Sequence, residues 1–272
     1  MSAPPTVFAA VNTGIHVTLG EVAAAVALAA LAAAVSLWRE AELERDIGIA
    51  VARSFIQLTA IGYVIKLIFD QDQFVFVLVL LAVMVGFGAL TARSRAKRVP
   101  GALVPLLVAL ALAGASTLGL VVALGIFKAQ PRYLVPVGGM VIGNAMTASA
   151  VALNRLGDEV ADGRARIEAT LALGATSREA AAPIVRRSLR SGMITLVDST
   201  KTTGLIFFPG TMVGMLLAGA NPTDAVRLQL ILLYTLLGSV AIAGLVATTL
   251  AYHNFFTSAH QLRDLEEAGA AP

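Results

Sequence analysis

The sequence predicts an all-α integral membrane protein with about seven transmembrane helices, and three observations carry that prediction. Hydrophobic residues make up 57% of the 272 residues and charged residues only 14%, against roughly 45–50% apolar content in a soluble domain. Mean hydropathy is +0.82, and several apolar runs reach the ~20 residues that a helix needs to cross a bilayer. None of the runs alternates with the period of a strand. Backbone in lipid must satisfy its own hydrogen bonds, so helices are the physical choice over a barrel.

Seven spans can be drawn in chain order, at residues 21–37, 47–69, 74–91, 102–127, 133–153, 193–217 and 225–252. Pro4, Pro5, Pro100, Pro131 and Pro222 all fall between spans, where a missing backbone donor does least harm. Residues 1–20 contain no Lys or Arg, so they lack the charged start of a cleavable signal peptide, and the first apolar run is expected to be a retained anchor. One set of connecting loops carries Arg39 and Arg45, then Arg93, Arg95, Lys97 and Arg98, then Arg155, Arg164, Arg166, Arg178, Arg186, Arg187 and Arg190, and finally Arg263. The other set has only Lys128 and Arg132, with Lys66 and Arg227 near span ends. The positive-inside rule therefore places the N-terminus outside and the C-terminus in the cytoplasm, which an odd number of spans requires. Residues 1–256 form the transmembrane domain, and 257–272 are expected to be a short, polar, poorly ordered cytoplasmic tail.

Composition also excludes functions. The chain has no cysteine, which removes disulfides, thiolate metal sites and Cys nucleophiles. No basic patch is interleaved with aromatics, so nothing points to nucleic acid. None of Lys66, Lys97, Lys128 and Lys201 follows a glycine, so there is no P-loop and any ATP hydrolysis belongs to another polypeptide. His16, His253 and His260 lie at or beyond span ends and are too scattered for a ligand set. No Ser/His/Asp or paired-carboxylate pattern suggests an intramembrane enzyme, and no internal repeat supports an inverted-repeat transporter.

The segment 155–190, between spans five and six, holds the densest chemistry. Residues 164–173 read as a short amphipathic helix with Ile167, Leu171 and Gly174 on one face and Arg164, Arg166 and Glu168 as polar cover. Gly174 suits a left-handed helix stop. Thr176 with Glu179 then fits a capping box that starts a second helix, which Pro183 is expected to kink or end. The product is a cytoplasmic helix–turn–helix elbow. It could lie on the membrane with its arginines at anionic headgroups, or it could enter a cleft on a partner. The joint placement of Glu168, Ala169, Gly174 and Ile184 favours the second. It matches the coupling-helix loop by which an ABC transporter's membrane subunit grips its ATPase, with Leu171, Ala175 and Arg178 flanking. Arg186 and Arg187 stand where that pattern has Leu-Pro.

Polar groups inside spans form a second set of candidates. Asp198 and Lys201 sit three apart in span six, placed either to neutralise each other near the interface or to line a translocation path. Arg53 and Gln57 share a face of span two, where Arg53 could snorkel. Asn144, with Met140 and Thr147 on its face of span five, can hold helices together or offer a carbonyl oxygen to a cation. Gly138, Gly139, Gly143, Ala145 and Ala148 make that span thin. Pro209 and Gly210, followed by Met212 and Gly214, are expected to break span six, freeing carbonyls or simply bending it.

Taken together and in order, Arg53-Ser-Phe-Ile-Gln-Leu58, Gly143-Asn-Ala-Met146, Glu168-Ala-Thr-Leu-Ala-Leu-Gly-Ala175, Asp198-Ser-Thr-Lys-Thr-Thr-Gly204, Pro209-Gly-Thr-Met-Val-Gly214 and Gly219-Ala-Asn-Pro222 resemble the FetB-type permeases. These are membrane subunits of ABC transporters associated with bacterial iron export, with plant relatives in aluminium tolerance. The resemblance runs from about residue 53 to 252 and departs at Thr200, Thr203 and Phe208, where the family has methionine, valine and leucine. It implies a non-catalytic homodimer in the bacterial inner or plasma membrane, docked on two copies of a separate ATPase that binds ATP and Mg. It also implies a metal-ion cargo, for which the residues alone show no site. The alternatives are an ion-gradient-driven secondary transporter, a permease of the same family with a non-metal substrate, and a receptor or scaffold without transport.

Overall fold

The computed structural model describes residues 18–39, 42–71 and 73–263. The prolines Pro4 and Pro5, the histidine His16 and residues 264–272 of the expected tail lie outside that set. Nine helices and no β-strand occur among the described residues: α1 (Leu19–Trp38), α2 (Glu44–Gln71), α3 (Phe74–Arg95), α4 (Leu103–Ala123), α5 (Pro131–Asp162), α6 (Arg164–Ala172), α7 (Ser177–Thr202), α8 (Gly210–Leu217) and α9 (Pro222–His253). Six of them, α1 to α5 and α9, are long and apolar enough to cross a membrane. The chain is a multi-pass membrane protein. Span six, drawn at 193–217, is not one helix but the end of α7, a non-helical loop and α8.

The chain divides into two compact units, Met1–Asp72 with Val213–Ala225, and Gln73–Met212 with Val226–Pro272. In the first, α1 and α2 pair. The buried Ser36 hydroxyl accepts from the Leu43 amide at 2.9 Å and donates to the Glu44 carboxylate at 3.1 Å, closing their connection. Thr18 and Glu21 form a capping box at the start of α1. Asn221 accepts the Thr223 amide at 2.9 Å on its side chain, with Pro222 as the first residue of α9, where its missing N–H costs nothing.

In the second unit α5 packs against α3, α4 and α7. Lipid gives helices no hydrophobic reason to associate, so close van der Waals packing through small residues must hold them. Three fully buried alanines, Ala113 of α4, Ala145 of α5 and Ala243 of α9, form one layer. Gly138 lies against Leu81, and Gly139 lets Met84 Cε come within 3.3 Å of where a Cβ would sit. Gly143 is open and contributes no such contact. The closest approach of a glycine to a neighbouring helix's backbone joins α5 and α7. A Cβ on Gly192 would lie 2.6 Å from the Ala148 carbonyl oxygen and 2.9 Å from Ala152 Cβ. At 32 residues α5 is about 48 Å long, against a hydrocarbon core of about 30 Å. Its last turns therefore extend past the apolar layer.

Those turns meet the arginine-rich loops. Arg98 pairs with Asp158 at 2.8 Å, and Asn254 donates to the Pro100 carbonyl at 2.8 Å. Phe255, Leu106, Leu153, Leu156, Ile167 and Ile184 form a buried core at this end. Backbone past α9 continues into it. Thr257 N–H donates to the Gln261 carbonyl and Arg263 N–H to the Phe255 carbonyl, both at 2.8 Å, and Phe256 bridges Leu262. Residues 257–263 are thus a folded turn rather than the poorly ordered tail expected, because Phe255, Phe256 and Leu262 are anchored in that core.

Gly192→Val should force the α5–α7 crossing apart, since backbone rather than a flexible side chain occupies the space. An overpacking cost of about 1–3 kcal/mol predicts a lowered thermal midpoint in detergent, read by light scattering, whereas Gly143→Ala should leave it unchanged.

Candidate functional site

The elbow is built by two helix ends with complementary chemistry. At the end of α6, Gly174 takes φ +91. Its N–H bonds the Leu171 carbonyl at 3.0 Å, and Ala175 N–H bonds the Thr170 carbonyl at 3.3 Å, the paired bonds of a Schellman stop. Two residues later Thr176 caps α7. Its hydroxyl accepts the Glu179 amide at 3.3 Å, and the Glu179 carboxylate accepts the Thr176 amide at 2.8 Å. Both features fall where the sequence placed them. Pro183 does not end α7, which continues through it to Thr202. The ring lies on the exposed side in the second turn, so a single backbone bond is given up.

The elbow has a buried root and an exposed tip. Ile167, Ala180, Ala181 and Ile184 are buried in the core with Leu171 against them. Ala169 and Gly174 are exposed, and Leu173 is 90% exposed. Glu168 pairs with Arg164 at 2.9 Å across one helical turn, and Arg178 is exposed on the first turn of α7. Ile184, counted in the sequence as part of the motif, is a core anchor.

A second charged assembly, which the sequence reading missed, braces the root. Glu159 of α5 receives Arg187 of α7 through Nε at 2.9 Å and Nη2 at 2.7 Å, and Arg155 through Nη2 at 2.7 Å. The Arg155–Glu159 spacing of four was a readable signal. Arg187 was visible only as a departure from the expected Leu-Pro. The Glu179 carboxyl is held below its usual range by the hydrogen bonds from Thr176.

The intramembrane candidates are distributed more widely. Asp198 and Lys201 pair at 2.9 Å, both more than half exposed. Asn144 donates to the Met140 carbonyl at 2.8 Å and Thr147 to the Gly143 carbonyl at 3.1 Å, so both side chains fold onto their own helix. Met140 packs, as does Leu196 of α7, against the cluster around Val141 and Leu232, and Met212 is buried. Among the described residues no hydrogen bond or ion pair joins Asn144 to the Asp198–Lys201 pair. Arg53 and Gln57 are exposed on α2, in the first unit.

The break in span six starts earlier than expected. α7 ends at Thr202, and Gly204 takes φ +85. Gly204 N–H bonds the Phe207 carbonyl at 2.9 Å, closing a loop whose Leu205 and Ile206 are 88% and 80% exposed. Pro209 precedes the start of α8 at Gly210, and Gly214 lies within α8. The reason lies upstream: hydroxyls of Ser199, Thr200, Thr202 and Thr203 all bond carbonyls three or four residues back, which weakens a helix before glycine ends it. Among the described residues no three His, Asp or Glu side chains converge as a metal-ligand group.

These features define a polytopic helical membrane protein with a braced, protruding helical elbow. The chain belongs to UPF0014, described as "Uncharacterised protein family (UPF0014)", whose profile matches residues 19–256. It is 41% identical to the rice "UPF0014 membrane protein STAR2", over 89% of this chain and 85% of the relative. It is 38% identical to "Protein ALUMINUM SENSITIVE 3" of Arabidopsis thaliana, over 89% and 88%. It is 34% identical to the Escherichia coli "Probable iron export permease protein FetB", over 91% and 95%. No solved structure matches the chain.

Thr176→Ala should cost α7 about 1 kcal/mol at its start, read as faster amide exchange at residues 177–180. Because Glu179 has a lowered pKa when folded, its contribution is present above the ordinary carboxylate range and lost as pH falls through the lowered value. In the wild type the protection of the same amides, taken relative to their intrinsic rates at each pH, should therefore fall only on strong acidification.

Proposed function

We propose that the chain is the membrane-spanning permease subunit of an ATP-driven exporter, and that iron or another metal ion is its cargo. It acts as a homodimer coupled to two copies of a separate ATPase, which carries ATP and Mg. The elbow is the observation that carries this reading. An exposed tip of Ala169, Leu173 and Gly174 stands on a root buried among α5, α7 and the segment after α9, so force applied at the tip reaches membrane helices through packed side chains. The arginine-rich end of the bundle faces the cytoplasm of a bacterial inner or plasma membrane, where ATP is available. Export and a metal cargo are supported by the name of the Escherichia coli relative. The exposed Asp198–Lys201 pair and the loop of residues 203–209 lie on the path, with Asn144, Met140 and Thr147 on the facing helix.

Co-purification of the chain with the ATPase, followed by ATP hydrolysis in the reconstituted complex, tests the assignment. Gly174→Leu strains a left-handed backbone, and Glu168→Ala removes the Arg164 partner. Each should lower permease-dependent ATPase activity about tenfold, worth about 1.4 kcal/mol, and undiminished activity in both would sink the docking role. Asp198→Ala or Lys201→Ala should reduce metal flux into vesicles severalfold while the complex still assembles. A variant that transports at the wild-type rate has lost nothing but a local charge pair.

A further inference from the structure

The turn after α9 touches the elbow at one polar point. His260 Nδ1 lies 2.9 Å from the Ser177 hydroxyl and 3.4 Å from the Ser177 amide nitrogen. Ser177 is the first residue of α7, so its N–H is one of the donors that a helix start leaves without an intrahelical partner. The Thr176 hydroxyl serves the Glu179 amide instead. Ser177 is buried although it lies at the arginine-rich surface. His260 itself takes φ +58, a conformation that only a few per cent of non-glycine residues adopt. The backbone is held there by a closed ring of bonds, from Thr257 N–H to the Gln261 carbonyl and from His260 N–H to the Thr257 carbonyl at 3.1 Å. An unfavourable backbone that aims an acceptor at a helix start is a feature with a direction.

The groove beside this contact is lined by Glu168, Leu171, Ala172 and Ala175 of the elbow on one side, and by Ala259, His260, Gln261 and Leu262 on the other. Phe255, wholly buried, roots the turn in the same core as Ile167 and Ile184. The elbow is therefore restrained from three sides: by α5 through Glu159, by the core beneath it, and by the turn at residues 255–263.

We propose that His260 is a positioning residue, which latches the first turn of α7 through Ser177 and so fixes the angle at which the elbow meets its ATPase. This rests on the docking role of the elbow proposed above. The latch belongs to the chain itself and can be read without any partner.

The test uses the full-length chain in nanodiscs. His260→Ala should raise amide exchange at residues 173–178 severalfold. His260→Asn should restore slow exchange, since its side-chain oxygen stands near the place of Nδ1 and asparagine accepts the left-handed backbone. The same variants are then measured in the reconstituted complex with the ATPase. Lower permease-dependent hydrolysis in His260→Ala, regained in His260→Asn, supports the inference in full. Unchanged exchange in His260→Ala overturns the latch. Faster exchange with unchanged hydrolysis keeps the latch but overturns its role in coupling. If Gly174→Leu also leaves hydrolysis unchanged, it is the docking role of the elbow that fails rather than the latch.

Discussion

The crossing of α5 and α7 is the contact on which the rest of the second unit depends. Within a bilayer, burying leucine against leucine gains little over leucine against lipid, so stability must come from closeness. Gly192 against the Ala148 carbonyl supplies it. Once the two axes are that near, the positions of Arg187 and Glu159 follow, and so does the root of the elbow. The charged brace sits where α5 leaves the apolar layer, which lets Glu159 take two arginines without a full desolvation cost.

Rigidity in the elbow comes from short-range chemistry rather than from area. A glycine stop and a capping box stand two residues apart, and neither leaves slack in the connecting backbone. Local caps alone would still leave the two helices free to tilt as one body. Long-range contacts to Glu159 and to the turn after α9 remove that freedom. The tip exposes Ala169, Leu173 and Gly174, while the Arg187–Glu159 pair holds its base.

The elbow and the spans were legible in the sequence for a simple reason. Their signals are local: apolar run length, a glycine at the right offset, Thr176 with Glu179. What could not be read depended on contacts between distant segments. Arg187 reaches Glu159 across 28 positions, and His260 reaches Ser177 across 83. The same cause explains the expectation of a loose tail, since residues 257–263 are polar by composition and ordered by what lies beneath them. The break in span six precedes Pro209 because the hydroxyls of residues 199–203 bond back to helix carbonyls, which an apolar-run pattern does not register. Pro183, expected to kink or end its helix, does not end it, its ring lying on an exposed face. Asn144 and Thr147 turned to the carbonyls of their own helix, a choice that no spacing rule decides.

The contact between Ser177 and His260 also constrains the threading of the chain. Both residues lie at the same end of their unit, and between them the chain contains α9, long and apolar enough to cross once. A strand of backbone that leaves one side and returns to it must cross an even number of times. If α9 crosses once, the segment from α7 to α8 has to supply the other passage, although it carries Asp198 and Lys201 and a stretch with no helix at all. A lone charge at the centre of a helix costs about 2.5–3.5 kcal/mol on insertion scales, and here the two stand as a pair at 2.9 Å. Such a passage depends less on its own hydrophobicity than the six long apolar helices do, since neither α7 nor α8 is long and apolar enough to cross by itself.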